Sequence, residues 1–468
     1  MSDAAAGEVA RRRRILVATK DVIAPRMAGP AIRAWQVAVA LSAEHDIELV
    51  TTASCDAHDD RFVVRSVTEP DLVELERWCD VIVFQGNVLH ESPALQVTEK
   101  VVVADVYDPL HLEQLEQARD AGEDMRRHIV TATTAILNRA LLRADFLLCA
   151  SEKQRDFWLG QLAGLGRVNT ATYDADPTLR SLIDVAPFGV EEEPPAARPG
   201  AIKGVVPGIE ADDVVLLWGG GVYNWFDPLT LIRAVERVYR DHPAVRLYFL
   251  GMAHPNPDVP RMRMAGDAVA LSDELGLTDR VVFFNTGWVR YDERAAYLLD
   301  ADVGVTTHLD HVETAFSFRT RVLDYLWAGL PVVSTGGDAL ADLVVDAGAG
   351  IAVPPGDVDA LAEALAALVA DPARRARLSA AASVAASSMR WSDVLAPLVA
   401  FCRDPRRAPD LVDATLAPGL VPTRIAIPAN PTSLRGDVAL AAAYLRQGGP
   451  RLFLRRVATR ARRVIRRT

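Results

Sequence analysis

Cysteine is scarce: the 468-residue chain holds Cys55, Cys79, Cys149 and Cys402, far apart and never at CxxC spacing. That excludes a disulfide framework and a zinc knuckle, and buried reduced thiols are the expectation. Long apolar runs are missing too. Nothing approaches the roughly 20 residues needed to span a bilayer, and "ILVATK" behind "RRRR" is too short for a signal-peptide core. The chain is therefore expected to stay in the cytoplasm. No low-complexity block interrupts it, and half of its residues are apolar. That is enough for two or three packed domains.

Acid outweighs base, with a net charge of −11. Residues 451–468, "RLFLRRVATRARRVIRRT", contain eight Arg and no acid, which leaves −19 on the remainder. An acidic body argues against a nucleic-acid partner. In the tail, Phe453, Leu454, Val457, Ala461, Val464 and Ile465 fall on one helical face with Arg around the rest. Such a helix lies on an anionic membrane surface, and the alternative is docking of the apolar stripe on protein. The membrane reading implies a peripheral protein on the inner membrane face.

Short apolar runs, "RRILVATK", "VIVFQG", "VVVADVY" and "DFLLCAS", alternate with helical patterns. After the proline-rich "EEEPPAARPGAIKGVVPGIEADD", read as an interdomain linker, the alternation restarts with "VVLLWGGG", "VRLYFLG", "RVVFFNTG" and "DVGVTT". Strands alternating with helices imply parallel sheets covered on both faces. The fold class is therefore α/β, with two doubly wound domains facing across a cleft. Ligands of such sheets sit at the carboxyl ends of the strands.

The stretch "AGLPVVSTGGDALADLVVDAGAGIAVPPGDVDALAEAL", with an acid five positions before Gly329, resembles the donor-binding half of glycosyltransferase family 4, the retaining enzymes of GT-B fold. A looser likeness runs from residue 15 to about 402. It takes in the glycine turn at Gly29, the "PFGV" closing the first domain, and "WSDVLAPLVAFC" as the helix that returns to it. The resemblance implies domains at 1–200 on the acceptor side and 201–390 for the nucleotide-sugar, a returning helix at 391–404, and a C-terminal extension at 405–468 with its basic helix. It also implies sugar transfer from a nucleotide-sugar to a hydroxyl acceptor, glycan or lipid-linked, with no cofactor beyond that substrate. The family's ribose-binding Glu falls on Asp324.

In "HVETAFSFRTRVLDYLWAGLPVV" the periodicity puts Phe318, Val322, Tyr325, Leu326 and Gly329 on a buried stripe, with Ser317, Arg321 and Asp324 on another face. A helix N-terminus there, with Ser317, Arg319, Thr320 and Arg321, is a phosphate site. The alternative is an Arg321–Asp324 surface pair with Ser317 as N-cap. The sequence departs from the resemblance at two places. The family's Glu eight residues before the helix carboxylate is Phe316 here, with Glu313 three residues earlier. Its Arg and Lys after the first strand of the second domain are missing from "WGGGVYNWFDP", where Gly219, Gly220 and Gly221 still let backbone approach phosphates. Arg319 with Arg321 is expected to supply that charge.

In the first domain Asp105, Tyr107 and Asp108 end a strand, and Asp105 and Asp108 are candidates to bind sugar hydroxyls or accept a proton. Capping of a helix near Pro109 is the competing account. Ser151, Glu152 and Gln154 are weaker acceptor candidates. Trp288 and Trp225 are candidate walls for the base, with a place in the core as the alternative. His308, Asp310, His311 and Glu313 have metal-ligand chemistry, but a polar loop is the expected reading and no metal is predicted. A sugar-nucleotide 2-epimerase and a non-catalytic transferase subunit stay open beside the transferase.

Overall fold

The computed structural model describes residues 11–412, apart from 197, 257, 258, 260 and 261. The basic helix expected at 451–468 lies outside these residues, as does most of the 405–468 extension. No described helix is long and apolar enough to cross a membrane.

Two parallel sheets form the frame. The first contains β1 (Arg14–Thr19), β2 (Asp46–Thr51), β3 (Val63–Ser66), β4 (Val81–Gln85), β5 (Val101–Asp105), β6 (Phe146–Cys149) and β7 (Ile183–Val185), in the order β3-β2-β1-β4-β5-β6-β7. The second contains β8 (Val214–Trp218), β9 (Val245–Phe249), β10 (Val282–Phe284), β11 (Val303–Thr306), β12 (Val332–Thr335) and β13 (Gly350–Val353), in the order β10-β9-β8-β11-β12-β13. Both follow one doubly wound plan, with the order reversing beside β1 and beside β8. Central strands such as "VIVF" and "VVLLW" are apolar throughout because both faces are covered by helices, so no alternation survives.

The expected linker is only partly a linker. Ile202 is fully buried, and the backbone N–H groups of Ile202 and Lys203 donate to Asp300 Oδ2 at 2.7 and 2.8 Å. Residues 200–209 are thus docked on the second domain, because Asp300 satisfies amides that a solvated linker would give to water. The crossings themselves run side by side. Val190 N–H donates to Met389 O at 2.7 Å and Trp391 N–H returns to Val190 O at 3.0 Å. Gly189 is required here, since a Cβ would stand 2.8 Å from the Trp391 indole. The helix Ala396–Arg403 then lies on the first domain, where Phe401 stacks on Phe146 at 4.5 Å.

Local differences from the sequence reading have simple causes. The long pattern "HLEQ…ALL" is two helices, Leu110–Gln117 and Glu123–Arg143, broken where Gly122 takes φ +80°. β3 and β7 were not foreseen, being edge strands of four and three residues.

Candidate active site

The loop after β8 is the centre of the cleft. Gly220 has φ +82° with nothing within 4 Å of where a Cβ would stand, so the backbone presents itself to open space. Gly219 is fixed from below: its N–H donates to Tyr325 Oη at 2.6 Å, and Tyr325 itself is fully buried. Arg321 reaches the same loop. Its guanidinium lies over the rings of Trp218 (4.6 Å) and Phe226 (4.1 Å) and donates through Nη2 to Gly221 O at 2.8 Å. Among the described residues no carboxylate pairs with Arg321, and its buried Nη1 has no hydrogen-bond partner. Burial pushes its pKa down to about 10, so it remains a cation at neutral pH. A buried cation without a counter-charge is costly to retain, although Arg321 itself, like Asp324, lines neither of the cavities described below.

Arg319 is placed differently. It donates to Glu313 Oε2 at 2.6 Å and covers Phe226, so its charge is already met. The helix Val312–Phe316 ends at Ser317, whose Oγ donates to Thr314 O at 3.0 Å, and a second helix begins at Arg321 with Thr320 before it. Ser317 therefore closes one helix and does not cap the next. Phe318 is half-buried against the core. Arg321 and Asp324 do not pair with each other. Asp324 accepts from Arg294 Nε at 3.1 Å and does not line the cavities described below.

Opposite stands a wall of carboxylates at the ends of β1 and β5. Asp105 is bound by Arg33 at 2.6 and 2.9 Å, and Arg33 also donates to Ala186 O and Pro187 O at the start of the crossing. Asp108 is hydrogen-bonded to Glu113, the acid that the sequence reading missed. Burial first, and then the nearby Glu313, holds Asp108 above the ordinary carboxylate range; burial and Asp108 itself raise Glu113 further. Two acids this close share one proton. Gln154 clamps this wall to the other domain by donating to Tyr107 O at 2.8 Å and Phe316 O at 2.7 Å. Ser151 caps the helix Glu152–Gly164, and Glu152 pairs with Arg180. Gly29 opens the helix Gly29–Ser42 with open space around it.

Two cavities meet between the walls. One of about 1180 Å³ runs from Gly221 and Tyr223 past Met252 and His254 to Thr286 and Trp288. The other, of about 350 Å³, lies on the β1, β4 and β5 ends, and the two share His254, Asn256 and Val259. Trp288 covers Gly221 and Gly251 with its ring, and its Nε1 donates to Met27 O at 3.1 Å across the cleft. Trp225 is buried and stacked on Tyr223 at 5.0 Å, which places it in the core.

Residues 213–371 match the family described as Glycosyl transferases group 1. Over these residues the second domain is similar to group 1 glycosyltransferases. Among curated relatives, a D-inositol 3-phosphate glycosyltransferase from Xylanimonas cellulosilytica is 31% identical over 193 residues, 41% of this chain and 42% of that protein. The chain spans about half the length of the curated relatives it matches. Among solved structures, a sucrose-phosphate synthase from Thermosynechococcus elongatus aligns over 84% of this chain and 98% of its own, with TM-score 0.62 and 17% identity. Anabaena HepE in complex with UDP-glucose aligns over 83% and 98%, with TM-score 0.56 and 14% identity. At these identities the structures establish the fold, which is GT-B.

Within this glycosyltransferase fold the metal-type residues disperse. His308 Nε2 faces Asp338 at 3.3 Å, His311 Nδ1 accepts from Thr314 N–H at 3.3 Å, and Asp310 is exposed. Among the described residues no group of three His, Cys, Asp or Glu is placed to hold a metal ion.

Proposed function

We propose that this protein is a glycosyltransferase that moves a sugar from a nucleoside-diphosphate sugar to a hydroxyl acceptor with retention at the anomeric carbon. The observation that supports the reading is Arg321, buried without a carboxylate partner among the described residues and bonded to the Gly219–Gly221 loop, whose Gly220 faces open space. In the proposal the diphosphate lies on that loop, and the nucleoside extends along the larger cavity toward Thr286 and Trp288. Gly221 and Arg321 meet the negative charge that grows on the diphosphate as the anomeric C–O bond breaks. A charge-assisted contact of this kind stabilises the leaving group more than the bound ground state. The acceptor hydroxyl enters from the smaller cavity, and Asp108 with Glu113 is the acid pair placed to take its proton. Asp105, held by Arg33, and Glu313, held by Arg319, are positioning residues on this reading. Asp324, facing Arg294 outside the cavity wall, holds the ribose only if that pair opens.

The test is nucleotide release and product analysis with UDP-glucose, GDP-mannose and dTDP-glucose, each with and without a hydroxylated acceptor. Acceptor-dependent release with an anomeric configuration matching the donor is the expected result. Interconversion of the donor sugar without acceptor would replace the transferase by an epimerase, and no donor binding would leave a non-catalytic subunit.

A further inference from the structure

The smaller cavity carries a charge preference. Each cation on its wall or in contact with its charged groups already has an acid. Lys20 Nζ sits 2.5 Å from Glu91 Oε1, and Arg33 is bound in two places to Asp105. Across the cleft Arg319 is held by Glu313. The remaining charge is negative. Asp21, buried at 7% exposure, accepts from Val22 N–H at 2.9 Å and Asn256 Nδ2 at 3.1 Å, with no Lys or Arg paired to it among the described residues. The Asp108–Glu113 pair adds one further negative charge when it shares a single proton. His254, which the two cavities share, is kept neutral by burial. The rest of the wall is uncharged: Phe84, Val106, Leu110, Leu137 and Ala140 give it an apolar face, and Thr19, Gln85, Asn87 and Tyr107 are neutral polar groups.

Resting on the transferase reading above, we propose that the acceptor is a neutral or basic hydroxyl compound with an apolar face, and that phosphorylated acceptors are excluded. A phosphate ester in this cavity would have to stand beside Asp21 and Asp108 without a cation of its own. A neutral sugar ring or a cyclitol, laid on the Leu137–Ala140 face of the long helix, meets carboxylates as hydrogen-bond acceptors and loses nothing. An ammonium group on the acceptor adds an attraction to Asp21.

The experiment uses the full chain with bound nucleoside diphosphate and three probes: p-nitrophenyl β-D-glucopyranoside, its 6-phosphate, and the 2-amino-2-deoxy analogue. Titration calorimetry reads each affinity. The phosphate ester is expected to bind at least about tenfold more weakly than its parent at low salt, as repulsion over several ångströms at intermediate dielectric requires. The amino analogue is expected to equal or exceed the parent. Asp21→Asn narrows the gap, and Leu110→Lys, made at a partly exposed wall position, narrows it by adding a cation. Equal or tighter binding of the phosphate ester by the unaltered protein overturns the proposal. Binding by none of the three probes overturns it as well. Donor binding is measured separately on the same preparation with UDP-glucose, GDP-mannose and dTDP-glucose. Its absence removes the transferase reading, whereas the order of the three probe affinities still decides the charge preference of the cavity.

Discussion

Arg33 and Arg321 are both buried beside the cleft, one from each domain, and their surroundings are opposite. Arg33 is well paired: a bidentate bond to Asp105 and two backbone carbonyls use four of its five N–H donors. Arg321 has one carbonyl, two aromatic faces and an unbonded Nη1. A cation paired in this way is structural, because everything it stabilises is already in the protein. A cation left without an acid is retained at a cost in desolvation, and the cost is offset when an anion arrives. The same contrast separates the two walls as a whole. The first domain presents carboxylates that are bound or share a proton, and the second presents backbone and positive charge.

The largest expected effect tests the paired side. Arg33→Met leaves Asp105 charged and buried with only Gln85 Nε2, at 3.2 Å, as a side-chain donor. Removing one partner of a buried pair costs about 3–5 kcal/mol. Denaturant unfolding is expected to show that loss, and a change below about 1 kcal/mol would mean the pair is not structural. The carbonyls of Ala186 and Pro187 lose their donor in the same variant, so the crossing between domains should loosen with it.

Arg321→Met should behave in the reverse way. Stability is expected to change by no more than about 1 kcal/mol, since an unpaired buried charge is removed along with one hydrogen bond. Affinity for a nucleoside-diphosphate sugar should fall by about 2–3 kcal/mol, the worth of a charge-assisted bond, read by calorimetry. A variant that is strongly destabilised but binds donor normally would erase the contrast with Arg33.

How much of this was legible from residues alone follows the same division. The alternation of buried runs and helical patterns placed both sheets, because a parallel strand with two covered faces leaves an apolar signature whatever its neighbours are. The glycine loop, Arg321 and Asp108 also stood out. What stayed hidden was pairing. Arg33 sits between Ile32 and Ala34 in a helix with no other charged residue, and a charge among apolar neighbours was the available signal for an internal partner. Which acid it meets, 72 residues on, depends on the register of β5 against β1 through β4. Glu113 was invisible for a similar reason: it is one of two acids on its helix, and only the fold of the Asp108–Leu110 turn brings it to Asp108. Arg319 and Arg321 look equivalent in sequence, yet Glu313 reaches only one of them.

A pH titration sharpens the comparison at the acid wall. Glu113 and Asp108 have pKa values raised in the folded state by burial and by each other. A carboxyl with a raised folded pKa binds its proton more tightly when folded, so its contribution to stability is full below the unfolded value of about 4 and is lost as pH rises toward the folded value. Glu113→Gln removes one member of the pair. The difference in unfolding free energy between the unaltered protein and the variant is expected to shift in favour of the variant as pH rises above about 4. A difference that is flat with pH, or that moves the other way, would show that the two acids do not share a proton. Other carboxylates, such as Asp176, whose pKa is depressed to about 2 by Thr178 and Ser181, are common to both proteins and cancel.

The smallest expected effect comes from one methyl group on the other wall. Gly220 has φ +82°, so Gly220→Ala carries a backbone strain of about 1 kcal/mol whatever space surrounds it. No atom lies within 4 Å of the added Cβ, so no steric term is added within the protein itself. The methyl group instead occupies the open space beside the loop, on which the diphosphate is proposed to lie. Donor affinity should therefore fall further than the strain alone explains, because strain in the free protein persists in the complex and largely cancels from binding. Thermal unfolding with and without UDP-glucose separates the two contributions: the ligand-free midpoint reads the strain, and the ligand-induced shift reads the contact. If the midpoint drops but the ligand-induced shift is unchanged, the diphosphate does not rest on Gly220, and Arg321 must meet its anion from another direction.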